Sequence, residues 1–249
     1  MSMQKSSKEL IYGRHPVIDA LKANASIDKV LLQRGTTGDL EKELRYLTRD
    51  RNIPLQMVPK DRLNRIVRGN HQGVIAFTSP ITLQRIEDVL PLLFEQSKTP
   101  LFILLDGVTD IRNFGAIARS AELCGAHAII MGRNKTPLMN AEAVKTSAGA
   151  LRRIPVCRQS SLPAAIEYLQ QSGVRVLASD LTAEEPLHRI DLKGPVAFIL
   201  GAEGRGISPT IAKMSNERFI IPQQGEADSF NVSVAAGIML YECMRQRMG

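Results

Sequence analysis

Only three cysteines occur in the 249 residues, Cys124, Cys157 and Cys243. They lie too far apart for a C-x-x-C zinc site or a disulfide framework, and their odd number points to a reducing compartment, so the cytoplasm is the expected location. His15, His71, His127 and His188 are scattered without the spacing of a ligand set, and no metal is expected. Long apolar runs are missing too. Met1–Glu9 is polar and Tyr12-Gly-Arg-His15 interrupts the residues after it, which excludes the apolar core of a signal peptide. No stretch approaches the roughly 20 apolar residues of a membrane span, and no membrane partner is expected. Internal repeats and low-complexity tracts are absent. So is the G-x-G-x-x-G dinucleotide fingerprint, which argues against an NAD enzyme.

What is present is an ordinary globular composition, 44% hydrophobic, with a net charge of +7. That charge favours an anionic partner such as a phosphate backbone, although surface charge that merely keeps the protein soluble reads the same. The first part alternates helical and strand patterns: Pro16–Ala23 helix, Lys29–Leu32 strand, Leu40–Arg51 helix, Leu55–Val58 strand, Lys60–Val67 helix and Val74–Thr78 strand. Its polar helical faces carry Arg45, Arg49, Arg51, Lys60, Arg62, Arg65 and Arg68, suited either to an RNA backbone or to plain solvation beside Glu41 and Glu43. Ser79-Pro80 marks a boundary. Residues 1–79 form a small α/β domain, 80–99 a linker with one helix (Arg85–Gln96), and 100–249 a second α/β domain. In that second domain, strands at Phe102–Leu105, Ala128–Met131, Ile154–Cys157, Val174–Ala178, Val196–Leu200 and Arg218–Ile221 alternate with helices at Phe114–Cys124, Ala141–Ala150 and Leu162–Gln171. A final helix runs from Val232 to Arg247. This order predicts a mostly parallel sheet covered on both faces.

Ligands of such sheets sit beyond the carboxyl ends of the strands, and three segments there carry polar or glycine-rich loops. In Leu105-Asp-Gly-Val-Thr-Asp-Ile-Arg-Asn-Phe-Gly-Ala-Ile-Ala-Arg119-Ser, Asn113 falls where an N-cap would and Arg119 lies nearly two turns into the helix. A cap and a salt-bridge partner would explain those two residues equally well. In Phe198-Ile-Leu-Gly201-Ala-Glu203-Gly204-Arg-Gly206-Ile-Ser208-Pro209 a strand runs into glycines, then a helix with Ser208 as N-cap and Pro209 at its first position. In Phe219-Ile-Ile-Pro-Gln-Gln-Gly-Glu-Ala-Asp-Ser229-Phe-Asn231-Val-Ser233 a polar loop leads to a helix lined with small and aliphatic residues, as a helix packed on another surface would be. A cap explains one of Ser229 and Asn231, hardly both.

Together these segments, read as N-x-x-x-x-x-R, L-G-x-E-x-x-G and I-P…S-x-N-V-S, resemble the three motifs of the SpoU (TrmH-like) RNA 2′-O-ribose methyltransferase family of the SPOUT superfamily, in order and over nearly the whole chain. Tyr12-Gly-Arg-His-Pro-Val and His71-Gln-Gly-Val-Ile resemble the substrate-binding domain of its large-subunit ribosomal RNA guanosine subgroup. The resemblance implies a deep trefoil knot in the C-terminal domain, an exception to the usual avoidance of knots, and a homodimer. It also implies S-adenosyl-L-methionine as methyl donor, held by Leu200, Gly201, Gly204, Ile221, Pro222 and Phe230. Phe230 departs mildly from the leucine common at that place.

A ribose hydroxyl is a weak nucleophile and a sulfonium methyl a good electrophile, so alignment is most of the catalytic task. Arg119 is the residue expected to act on RNA: its planar fork can hold a phosphate and hydrogen-bond the adjacent hydroxyl. Its very high pKa makes a role as base costly. Asn113, Glu203, Ser229 and Asn231 would shape the pocket and fix Arg119 or the RNA phosphate. Competing readings are a non-catalytic RNA-binding ribosome-assembly factor and the same chemistry on transfer RNA.

Overall fold

The computed structural model describes Leu10–Met248; the polar lead-in Met1–Glu9 and Gly249 lie outside the described residues. The chain divides into two compact units between Thr82 and Leu83.

The first unit consists of β1 (Leu10–Tyr12), α1 (Arg14–Lys22), β2 (Ile27–Gln33), α2 (Asp39–Asp50), β3 (Leu55–Val58), α3 (Lys60–Ile66) and β4 (Val74–Thr78). Its four-stranded sheet has the order β1-β4-β2-β3, with β2 and β3 parallel and β4 antiparallel to β1 and β2. Alternation along β2 sets the layers. Val30 and Leu32 pack with Val17, Leu21 and Leu44 of α1 and α2, whereas Leu31 packs with Leu63 of α3. Arg51, one of the cations suited by sequence either to an RNA backbone or to plain solvation, is instead structural: its guanidinium donates to the carbonyls of Leu21 (3.2 Å) and Ala25 (2.7 Å).

The second unit continues with β5 (Leu83–Gln84), α4 (Ile86–Glu95), β6 (Leu101–Asp106), α5 (Ile111–Leu123), β7 (Ala128–Met131), α6 (Ala141–Thr146), β8 (Val156–Arg158), α7 (Leu162–Gln171), β9 (Arg175–Ser179), β10 (Val196–Gly201), α8 (Pro209–Met214), β11 (Glu217–Phe219) and α9 (Val232–Arg247). Single 3-10 turns occupy Ala150–Arg152 and Leu187–Arg189. The seven strands follow the order β11-β9-β10-β6-β7-β8-β5, and each pairing is parallel. Unbroken apolar runs such as Leu101–Leu105 and Val196–Leu200 suit strands buried on both faces. α4, α7 and α8 supply Leu90, Ile166 and Ile211 to one layer, while α5 packs on β7 and α9, and α9 on β10.

Several boundaries differ from the sequence pattern. α5 starts at Ile111, not Phe114, because Asp110 is the N-cap, accepting from the N–H of Arg112 and of Asn113, both at 2.9 Å; Asn113 lies inside the helix and does not cap it. The helix expected through Ala150 ends at Thr146 because Ala148 and Gly149 adopt φ of +50° and +82°, in the left-handed region that halts an α-helix. The strand expected at Ile154–Cys157 shifts to Val156–Arg158, and that at Arg218–Ile221 ends at Phe219. Beyond that end, Ile220 turns to a different partner, donating to the carbonyl of Glu185 and accepting from the N–H of Leu187. Ser208 does precede α8, but its side chain makes no capping bond.

At its far end α9 is fastened by Arg247. The guanidinium donates to the carbonyls of Leu192 (3.1 Å), Thr99 (3.0 Å), Pro100 (3.0 Å) and Gly194 (2.6 Å), tying the helix to the segments that enter β6 and β10. Among the described residues no helix is long and apolar enough to cross a membrane, and no group of three or more His, Cys, Asp or Glu is placed to hold a metal ion.

Candidate active site

β6 and β10 lie side by side with Gly201 opposite Asp106, so both carboxyl ends deliver their loops to the same place. After β10 the chain doubles back, the amide of Ala202 donating to the Gly206 carbonyl and that of Gly206 to the Ala202 carbonyl. Gly204 and Gly206 have φ of +75° and +66°, which only glycine adopts cheaply. The returning strand crosses Gly201 so closely that an added Cβ would lie 2.0 Å from the Gly206 carbonyl carbon. Asp106 secures the far side, its carboxylate accepting from the N–H of Ser208 at 2.7 Å.

Onto this frame a chain of side chains is built. Asn231 is the N-cap of α9, its Oδ1 accepting from the Ser233 N–H at 2.9 Å and the Ser233 hydroxyl at 2.6 Å. With that oxygen engaged, Nδ2 of Asn231 donates to Oδ1 of Asn113 at 3.1 Å. Nδ2 of Asn113 then donates to the Glu203 carboxylate at 3.1 Å. Every donor points the same way, from Ser233 to an anion, an arrangement in which each bond polarises the next. Asn113, Glu203 and Asn231 are thus brought together from all three segments. Ser229 is exposed and has no hydrogen-bond partner among the described residues.

Arg119 stands apart. Six residues beyond Asn113 on α5, it lies about 9 Å farther along the axis and about 120° around it. It is exposed, unpaired among the described residues, and shares its face with exposed Arg112, seven residues earlier. The two cations lie about 10 Å apart along the same face.

Of the residues the resemblance assigns to the cofactor, Ile221, Pro222 and Phe230 line a mostly apolar groove of about 580 Å³, together with Leu187, His188, Val234, Gly237, Ile238, Tyr241 and Glu242. Leu200, Gly201 and Gly204 are not among its lining residues. Arg245, bonding both Glu242 oxygens at 2.8 Å, and Gln246 hold the Glu242 carboxyl down at about 2, against the opposing effect of burial. A volume of this size suits an adenosine-sized ligand, and the apolar wall fits an adenine ring. Asp106 and Asp110 lie outside the three motifs; the Leu105-Asp-Gly107 junction at a strand end is the cue that could have found the first.

Comparison with known proteins places these features. Residues 100–241 match the family model described as the SpoU rRNA Methylase family, and residues 10–84 match that for RNA 2'-O ribose methyltransferase substrate binding. The 23S rRNA (guanosine-2'-O-)-methyltransferase RlmB of Pseudomonas aeruginosa is 34% identical over 244 residues, covering 97% of this chain and 98% of that protein. Its counterpart in Photorhabdus laumondii is 34% identical over 241 residues, covering 96% and 98%. Among solved structures, the AdoMet-bound rRNA methyltransferase of Sinorhizobium meliloti aligns with a TM-score of 0.60 at 28% identity, covering 95% of this chain and 87% of that one. Matched in both units and aligned end to end with such relatives, the chain that carries the Ser233-to-Glu203 relay belongs to the SpoU rRNA methylase family.

Proposed function

We propose that the chain transfers a methyl group from S-adenosyl-L-methionine to a ribose 2′-hydroxyl of RNA, with a guanosine of 23S ribosomal RNA as the target. The observation that carries this reading is the relay through Asn231, Asn113 and Glu203, because it joins in space the three segments that resemble the family's motifs. Relatives named for that reaction, aligned along nearly their full length, support the choice of substrate.

Ile221, Pro222 and Phe230 would hold the adenosine part of the cofactor, with the backbone of Leu200, Gly201 and Gly204 bordering it. When bound, S-adenosyl-L-methionine supplies an activated methyl group on a sulfonium. The protein's own residues do the positioning. Arg119, with Arg112 beside it, grips a phosphate and hydrogen-bonds the adjacent hydroxyl, stabilising the negative charge that grows on the oxygen as its proton departs to water. Asn113, held between Asn231 and Glu203, keeps the start of α5 fixed, and Ser229 borders the RNA.

Around this chemistry we assign RNA binding to residues 1–79, a linker and the first helix of the catalytic domain to 80–99, and the remainder of that domain, with a trefoil knot, to 100–249, in a cytoplasmic homodimer. The family resemblance and the small, aliphatic residues of α9 support the dimer; sedimentation at micromolar concentration should give a dimer, and a monomer alone would refute it. Radiolabelled methyl transfer to 23S ribosomal and transfer RNA, with mapping of 2′-O-methyl sites, tests the activity. Methylation of transfer RNA alone would change the substrate. A folded, cofactor-binding chain that methylates neither RNA would favour an assembly factor.

A further inference from the structure

The first unit contains a cleft of about 710 Å³ at the sheet end where β2 and β3 finish and β4 begins, lined by residues from the start of α1, the end of β2, α3 and the loop before β4. Arg14, His15 and Lys60 bring positive or ionisable groups; Gln33, Asn64, Asn70 and Gln72 bring amides; no carboxylate lies among the described lining residues. The orientation of two of those amides is set by their partners. His71 is buried, and its Nδ1 accepts from the Gly73 N–H at 3.0 Å. The ring proton therefore sits on Nε2, which donates to Asn64 Oδ1 at 2.8 Å. Asn64 spends its oxygen on His71 and keeps its NH2. Gln72 does the same at the head of α1, where its Oε1 accepts from the Arg14 N–H at 3.0 Å. It reaches there because Gln72 and Gly73 both adopt positive φ, +49° and +81°, a conformation costly for glutamine and typical of sites where geometry serves binding. What these fixed residues leave unengaged is donors: two amide NH2 groups beside Arg14 and Lys60.

We propose that this cleft holds one unpaired nucleotide of the RNA and selects guanine, its phosphate against Lys60 and Arg14 and its O6 and N7 edge against the NH2 groups of Asn64 and Gln72. Guanine presents two acceptors on that edge, whereas adenine places an amino donor there and meets donor with donor. Sequence-specific reading of RNA falls on unstacked bases of this kind. The proposal rests on the RNA methyltransferase reading and adds a base-selective subsite in the other unit, with His71 as the positioning residue.

The test uses the full chain and fluorescent oligoadenylates about ten nucleotides long, with and without one central guanosine, read by anisotropy. The guanosine RNA should bind about tenfold more tightly, the range of one good base contact. Asn64→Asp and Gln72→Glu keep the oxygen that His71 or Arg14 needs but remove the donor, and should abolish that preference with cofactor affinity unchanged. Lys60→Ala should weaken both RNAs alike. A central 7-deazaguanosine, which lacks the N7 acceptor, should lose most of the preference on the unaltered protein, so the idea stands or falls even if a variant misfolds. Equal binding of both RNAs, or a preference that survives 7-deaza substitution, overturns the subsite alone. Failure of the protein to bind these RNAs or ribosomal RNA at all overturns the RNA reading and the subsite with it.

Discussion

Asn113 and Asn231 are 118 positions apart and touch amide to amide at 3.1 Å, so the head of α5 and the head of α9 are set by one hydrogen bond whose direction is imposed from both ends. Asn113→Asp is the sharpest probe of it. The substitution would face the Glu203 carboxylate with a second one, and like charges at that distance raise each other's pKa. Stability lost to the pair is therefore recovered at low pH and missing above the raised pKa. The variant should be destabilised by about 1 kcal/mol or less at neutral pH, the scale of an exposed charge pair, and approach the parent as the pH is lowered, as read by urea denaturation across pH.

Arg119→Ala should leave S-adenosyl-L-methionine affinity nearly unchanged, since Arg119 stands on a different face of α5 from the relay, while single-turnover methyl transfer falls by orders of magnitude. Arg119→Lys should restore little because an ammonium lacks the planar fork. Near-normal turnover by a folded Arg119→Ala protein would refute the mechanism.

Gly201→Ala should reduce cofactor affinity by an indirect route. The added Cβ meets the protein's own backbone, 2.2 Å from the Ile207 nitrogen. The loop must move, and the Asp106–Ser208 bond with it. Calorimetry should show weakened cofactor binding, and exchange of the Ala202 and Gly206 amides should accelerate.

Arg247→Ala removes donors from four carbonyls and should cost about 3 kcal/mol, the scale of charge-assisted hydrogen bonds lost at one site. The urea midpoint should fall with an unchanged slope, and Arg247→Lys should recover only part. An unaltered midpoint would mean that the helix end is held by packing alone.

Glu242, with its carboxyl pulled from the ordinary 4.5 to about 2 by Arg245 and Gln246, stabilises the fold above its unfolded pKa, and the contribution disappears as pH falls through the folded value. The stability difference between the parent and Glu242→Gln should thus be constant above about pH 5 and shrink steadily toward pH 2. A difference that grows on acidification would contradict the assignment.

Much of this structure was legible in sequence. Leu55–Val58, Val74–Thr78, Ala128–Met131, Leu162–Gln171 and Val232–Arg247 have the bounds their patterns predict, since each carries a long period or clear punctuation. β1 and β5, three and two residues long, are too short for any period to register and exist because a neighbouring strand offers an edge. The exchange of roles between Asp110 and Asn113 was hidden for another reason: both residue types cap helices well, and only the distant amide of Asn231 decides which of them is free to do so. The relay itself has no local signal, because its bonds span 90 and 118 positions.

The strand order also bears on how the protein is made. β6, β7 and β8 pair as they appear, but the other edge of β6 belongs to β10, with residues 107–195 between them. At ordinary translation rates that edge waits on the order of ten seconds for its partner. Throughout that interval the Leu101–Leu105 run offers open backbone donors and acceptors to any passing strand. A ribosome paused within this stretch would be expected to yield aggregate rather than enzyme, and chaperone demand should peak before residue 196 emerges, not after.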